Sequence, residues 1–70
     1  MNKEQFAHKV YEDELEREVY HFKQHRCLIA PGLRRQGELL LNMIHRGSIS
    51  LEDAEQRLGE LQIALEEMQQ

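Results

Sequence analysis

Apolar residues recur at steps of three and four along most of the chain, and strict alternation of apolar and polar positions never lasts beyond a few residues. That rhythm predicts helices and no strands. The first helix is predicted over residues 3–26. At about 100° per residue, Tyr11, Leu15, Val19 and Phe22 fall within one quadrant of it, and Phe6 and Val10 lie on a second arc about 120° or more away. Lys9, Glu12, Glu16 and Lys23 take the opposite side, predicted to be solvated. Two apolar arcs on one helix predict two contacts.

Cys27-Leu28-Ile29-Ala30-Pro31-Gly32 interrupts the rhythm. Proline disfavours helix at the residue before it and suits a first helical position, so a second helix is predicted over residues 31–46. Its stripe is Leu33, Gly37, Leu40 and Ile44, flanked by Leu39, Leu41 and Met43. A helix apolar over most of its circumference is buried from more than one side, and in so short a chain one of those sides is predicted to be another subunit. Gly47-Ser48-Ile49 reads as a turn, with Ser50 as the N-cap of a third helix over residues 50–69. Ser50 and Asp53 have capping-box spacing, with aspartate in place of the usual glutamate. Leu51, Ala54, Leu58, Leu61, Leu65 and Met68 then form a heptad seam of about two and a half repeats. The seam suits either the chain's own second helix or an intermolecular coiled coil. Ile63 falls on the far side of that helix.

Residues Glu38-Leu39-Leu40-Leu41 and then Ile44-His45-Arg46-Gly47-Ser48-Ile49-Ser50-Leu51-Glu52-Asp53-Ala54-Glu55 resemble the short helical hairpins of the SHOCT type. Those read as a leucine-rich helix, a basic residue, Gly-x-Ile-Ser/Thr and an acidic second helix. The likeness covers under half of the chain, and it implies an oligomerisation or interaction hairpin without chemistry of its own.

Size narrows the picture. A chain of 70 residues and 8.3 kDa buries little core unless a staple, a metal or a second subunit helps. The lone Cys27 excludes an internal disulfide. No stretch approaches the roughly 20 apolar residues of a membrane span. Met1-Asn2-Lys3-Glu4-Gln5 opens an amphipathic helix and not a signal sequence, so a cytoplasmic protein is expected, with no membrane partner. The fold class is therefore all-α: a three-helix bundle, or a helical hairpin with a long N-terminal helix, completed by homodimerisation. Its interaction and oligomer face is expected to carry Tyr11, Leu15, Val19, Phe22, Leu33, Leu40, Ile44, Leu51, Leu58, Leu61 and Leu65.

The net charge of −4 is unevenly spread. Residues 1–26, 27–47 and 48–70 carry net −1, +2 and −5. No acid lies between Val19 and Gly37, where His21, Lys23, His25, Arg26, Arg34 and Arg35 sit. One reading makes His25, Arg26, Arg34 and Arg35 an anion or nucleotide site at the N-terminus of the second helix. The other pairs the arginines with the acidic third helix, with Glu14 and Glu18, or with an acidic partner protein. A helix-turn-helix role on DNA is not expected, because the would-be recognition helix holds Glu52, Asp53, Glu55 and Glu60 against a single Arg57.

Glu14, Glu18, His21 and His25 follow steps of four, three and four, and form one stripe between the two apolar arcs, predicted to be partly shielded. Three readings stay open: carboxylate–histidine pairs that stabilise the helix, a contact with Arg34 and Arg35 or a second copy, and a metal site of Glu18, His21 and His25 with Cys27. No metal and no cofactor is adopted. Cys27 beside His25 and Arg26 has neighbours that lower a thiol pKa, although a lone cysteine at a helix end is usually a packing residue. Ser48 and Ser50 have turn and cap roles, and no glycine-rich phosphate loop occurs, so no enzyme activity is expected. The function expected is that of a small acidic helical interaction module. Such a protein binds a larger protein and blocks or retargets it, as phage and mobile-element regulators of this size do.

Overall fold

In the computed structural model, which describes residues 2–70, α1 spans Lys3–His21 and runs on as a π-helical turn over Phe22–Arg26, followed by α2 (Pro31–Arg46) and α3 (Leu51–Met68). The chain is a three-helix bundle of the all-α class. Each end has a local cause. The Gln5 N–H donates to Asn2 Oδ1 at 2.8 Å, and the Asn2 N–H donates back to Gln5 Oε1 at 3.3 Å, a complete capping box. Pro31 opens α2, and Gly47 closes it at φ 69°, a left-handed value that a side chain would strain. Ser50 Oγ accepts from the Asp53 N–H at 3.1 Å. The reciprocal bond expected of a capping box is not made, since aspartate is one methylene shorter than glutamate.

α2 packs on both other helices and α1 touches α3 less extensively. Tyr11 meets Glu55 near one end, and Phe22 and Arg26 share a groove with Gln62 towards the other, so α1 and α3 run in the same direction and α2 runs against them. The core joins Leu15, Val19 and Phe22 to Cys27 and Ala30 of the connection, Leu40 and Ile44 of α2, and Ala54, Leu58 and Leu65 of α3. Among the described residues, no polar side chain is buried with them. The π turn explains how Phe22 and Cys27 both reach this core. In a regular α-helix they would point about 140° apart; a wider turn, closing on the fifth residue, rotates Cys27 back beneath the bundle.

The heptad seam of α3 is occupied inside the chain except at its last member, Met68, which is 61% exposed. Ala54, Leu58 and Leu65 are buried against the other two helices, and Leu51 and Leu61 are half-buried around them. Of the two settings the seam suits, the chain's own helices supply one. The polar flanks of α1 are also exchanged relative to expectation. Glu12, Glu16 and Lys23, expected on the solvated side, are half-buried beside α2, whereas Glu14, Glu18, His21 and His25 are exposed.

Gly37 is where α2 comes close to the π turn: a Cβ there would stand 3.3 Å from Lys23 Cβ and 3.4 Å from Phe22 Cδ1, tighter than ordinary van der Waals contact, so those neighbours would have to give by a few tenths of an ångström. Gly59, by contrast, faces open space, and a Cβ there would meet nothing within 4 Å. Gly59→Ala is expected to stabilise the chain by about 0.5–1 kcal/mol, the ordinary helix-propensity gain. Gly37→Val, whose branches must enter the Phe22 ring, is expected to destabilise it by about 1–3 kcal/mol. Urea melts of the two variants check the contrast.

Candidate interaction surface

The side chains expected on an interaction face are mostly turned inward. Leu15, Val19, Phe22, Leu40, Ile44, Leu58 and Leu65 are buried, and Tyr11, Leu33, Leu51 and Leu61 are half-buried against them. Of these, Tyr11 has a distinct role. Its hydroxyl donates to the Glu55 carboxylate, tying the middle of α1 to the first turns of α3. That hydrogen bond, with partial burial and the negative charge of Glu55 behind it, pushes the Tyr11 pKa up to about 12. The neutral phenol is the form the fold favours. Its stabilising effect is therefore complete below pH 10, the ordinary tyrosine value, and is lost as pH rises from there through about 12. In a Tyr20→Phe background, where Tyr11 is the sole tyrosine, tyrosinate absorbance is expected to rise only near that upper value. Glu55→Gln should bring the midpoint back towards 10.

The carboxylate–histidine stripe does not assemble as the sequence suggested. His21 and His25 lie with ring centroids 5.0 Å apart and planes tilted by 41°, and neither forms an ion pair with Glu14 or Glu18 among the described residues. Glu14 and Glu18 instead line a shallow cleft with Tyr11, Leu15 and Glu55. The histidine pairs that do form are His8 with Glu12 at 3.9 Å and His45 of α2 with Glu16 of α1 at 3.4 Å. Among the described residues, no three His, Cys, Asp or Glu side chains converge as metal ligands. Cys27 is 1% exposed, and burial pushes its thiol pKa up despite the opposing pull of Arg26 and Arg34. Its apolar setting thus outweighs the basic neighbours that the sequence emphasised, and the thiol serves as packing.

His25, Arg26, Arg34 and Arg35 are all exposed. Arg26 lines an open groove with Arg17, Glu18, His21, Phe22 and Gln62. Arg34 and Arg35 stand near the start of α2, where the Arg34 N–H donates to the Ala30 carbonyl at 3.0 Å as the first backbone bond of the helix. None of the three arginines is ion-paired among the described residues, neither with α3 nor with Glu14 and Glu18.

What remains outside the core is a set of large apolar side chains. On α1, Phe6 is 62% and Tyr20 51% exposed, with Val10 between them also exposed. At about 100° per residue, Phe6, Val10, Arg17 and Tyr20 share an arc of roughly 80° on the side of α1 away from the core. Arg17 and Tyr20 border an open groove of about 300 Å³ completed by Glu16, Leu41 and His45. At the apex between α1 and α2, Leu28 and Ile29 are 79% and 80% exposed. Sequence reasoning passed over this apex, reading residues 27–32 only as a break. The available cue was four successive apolar residues before Pro31, more than a four-residue turn can bury. No helix of the described residues is long and apolar enough to cross a membrane.

No family model matches the chain, and no match is found among curated proteins or solved structures. The SHOCT-type likeness therefore rests on residues 38–41 and 44–55 alone.

Proposed function

We propose that the chain is a non-catalytic protein–protein interaction module, a small regulator that docks on a larger protein through the outer face of α1 and blocks or retargets it. One observation carries the reading: of the two apolar arcs on α1, one is consumed by the core and the other, Phe6, Val10 and Tyr20, is left uncovered. Aromatic residues and arginine are the side chains most enriched at the energetic centres of interfaces, and Phe6, Arg17 and Tyr20 share this arc. The groove beside it, lined by Glu16, Arg17, Tyr20, Leu41 and His45, brings apolar and polar side chains together, as interfaces do. A partner helix or loop presenting an apolar ridge fits that chemistry.

The test is a tagged pull-down from the source cell with mass spectrometry, comparing the natural chain with Phe6→Ala/Tyr20→Ala. Both sites are exposed, so the double variant should keep its melting temperature while losing the captured protein, with affinity down by about tenfold or more. Recovery of the same protein by both chains would place the contact elsewhere.

A further inference from the structure

Two surfaces of opposite charge are left unsatisfied within the chain. The first is the apex. Leu28 and Ile29 are held outward by a turn whose ends are fixed, since Cys27 and Ala30 are buried and the Ala30 N–H donates to the Cys27 carbonyl at 3.2 Å. The flanking residues include Lys23, Arg26, Arg34 and Arg35 and no acid, and none of these cations is ion-paired among the described residues. The second surface is the outer face of α3 beyond Gln62. There Ile63 is 57% exposed, and helical spacing places Glu60, Glu66 and Glu67 within about 60° of it. Those carboxylates are not ion-paired among the described residues either; Glu60 only accepts from the Gln56 amide at 3.4 Å. Because Arg26 and Gln62 share one groove, the last turns of α3 lie at the apex end of the bundle.

We infer that a second copy of this chain covers the apex, Leu28 and Ile29 of one copy packing on Ile63 of the other with Arg34 and Arg35 facing Glu66 and Glu67. Both surfaces lie at the same end, so a two-fold axis there lets each copy give its apex and receive the other's, and the contact forms twice in a closed dimer. The doubled contact gives a weak, concentration-dependent dimer whose register is set by charge. An anionic lipid surface would attract the apex but repel the acidic end of α3 beside it. An acidic protein would satisfy the arginines and leave the Ile63 face bare. The same chain supplies both signs. This dimer uses a different surface from the α1 face and does not depend on that assignment.

Sedimentation velocity on four preparations tests it: the natural chain, Leu28→Ser/Ile29→Ser, Arg34→Glu/Arg35→Glu and Glu66→Lys/Glu67→Lys. The natural chain should dimerise at low salt and dissociate as salt rises. Each variant should dimerise at least about tenfold more weakly while keeping its melting temperature, because every substituted site is exposed. An equimolar mixture of the two charge-reversed chains restores opposite charges in both contacts and should recover the dimer. A natural chain that stays monomeric to millimolar concentration at low salt, or a dimer indifferent to both reversals, overturns the inference. So does a monomer that instead co-sediments with phosphatidylserine vesicles, which would assign the apex to lipid.

Discussion

Replacing Leu58 by aspartate is expected to abolish the cooperative thermal transition and most of the far-ultraviolet helicity at every protein concentration. Leu58 is 2% exposed at the centre of the α3 seam. Truncating such a leucine costs about 2–5 kcal/mol. The aspartate also brings a carboxylate into a core that, among the described residues, holds no buried polar side chain to receive it. A domain of this length has a total stability of roughly 3–10 kcal/mol at ordinary per-residue values, so the combined penalty consumes it. If the seam served only a partner chain, the same substitution would release a helical monomer. Leu58→Ala supplies the graded version, a chain weakened by about 2–5 kcal/mol, readable by denaturant melts.

Phe22→Ala is expected to be nearly as damaging, at about 3–5 kcal/mol. The ring is 1% exposed and lies under the closest approach of α1 and α2, where Gly37 has no side chain to relax into the space left behind. That geometry makes a coupled outcome measurable. In the natural chain, a Cβ at Gly37 meets the Phe22 ring at 3.4 Å. In a Phe22→Leu background the smaller side chain can turn aside while the contact with Lys23 Cβ at 3.3 Å stays, so Gly37→Ala should be better tolerated there than in the natural chain. The two substitutions should therefore be non-additive in denaturant melts. Additive effects would mean that the two positions do not share the packing described.

The helices themselves were legible in the sequence because their ends are chemically marked. Pro31 and Gly47 bound α2 at the positions expected, and Ser50 caps α3 within one residue of its predicted start. The seam of α3 was equally plain, but a heptad states only that something apolar lies opposite, and Leu58 would look the same against α2 or against a second chain. The flanks of α1 misled for a related reason. Both are polar, and nothing in a helical wheel says that α2 packs on the Glu12, Glu16 and Lys23 side. Nor could spacing within α1 reveal that Glu16 pairs with His45 from another helix. The exposed face of Phe6 and Val10 was visible as a second arc, whereas Tyr20 joined it only once the direction of the core was known. Leu28 and Ile29 were missed because a four-residue connection has no period to read.

One chain closes its own core and leaves Phe6, Val10, Tyr20, Leu28, Ile29 and Ile63 exposed. The most direct test follows mass and helicity together on a single dilution series from millimolar to low micromolar concentration. Constant helicity and a cooperative melt are expected at every dilution, even as any dimer dissociates. Helicity that falls in step with mass would show that the core is shared between chains, and would contradict a self-closed bundle.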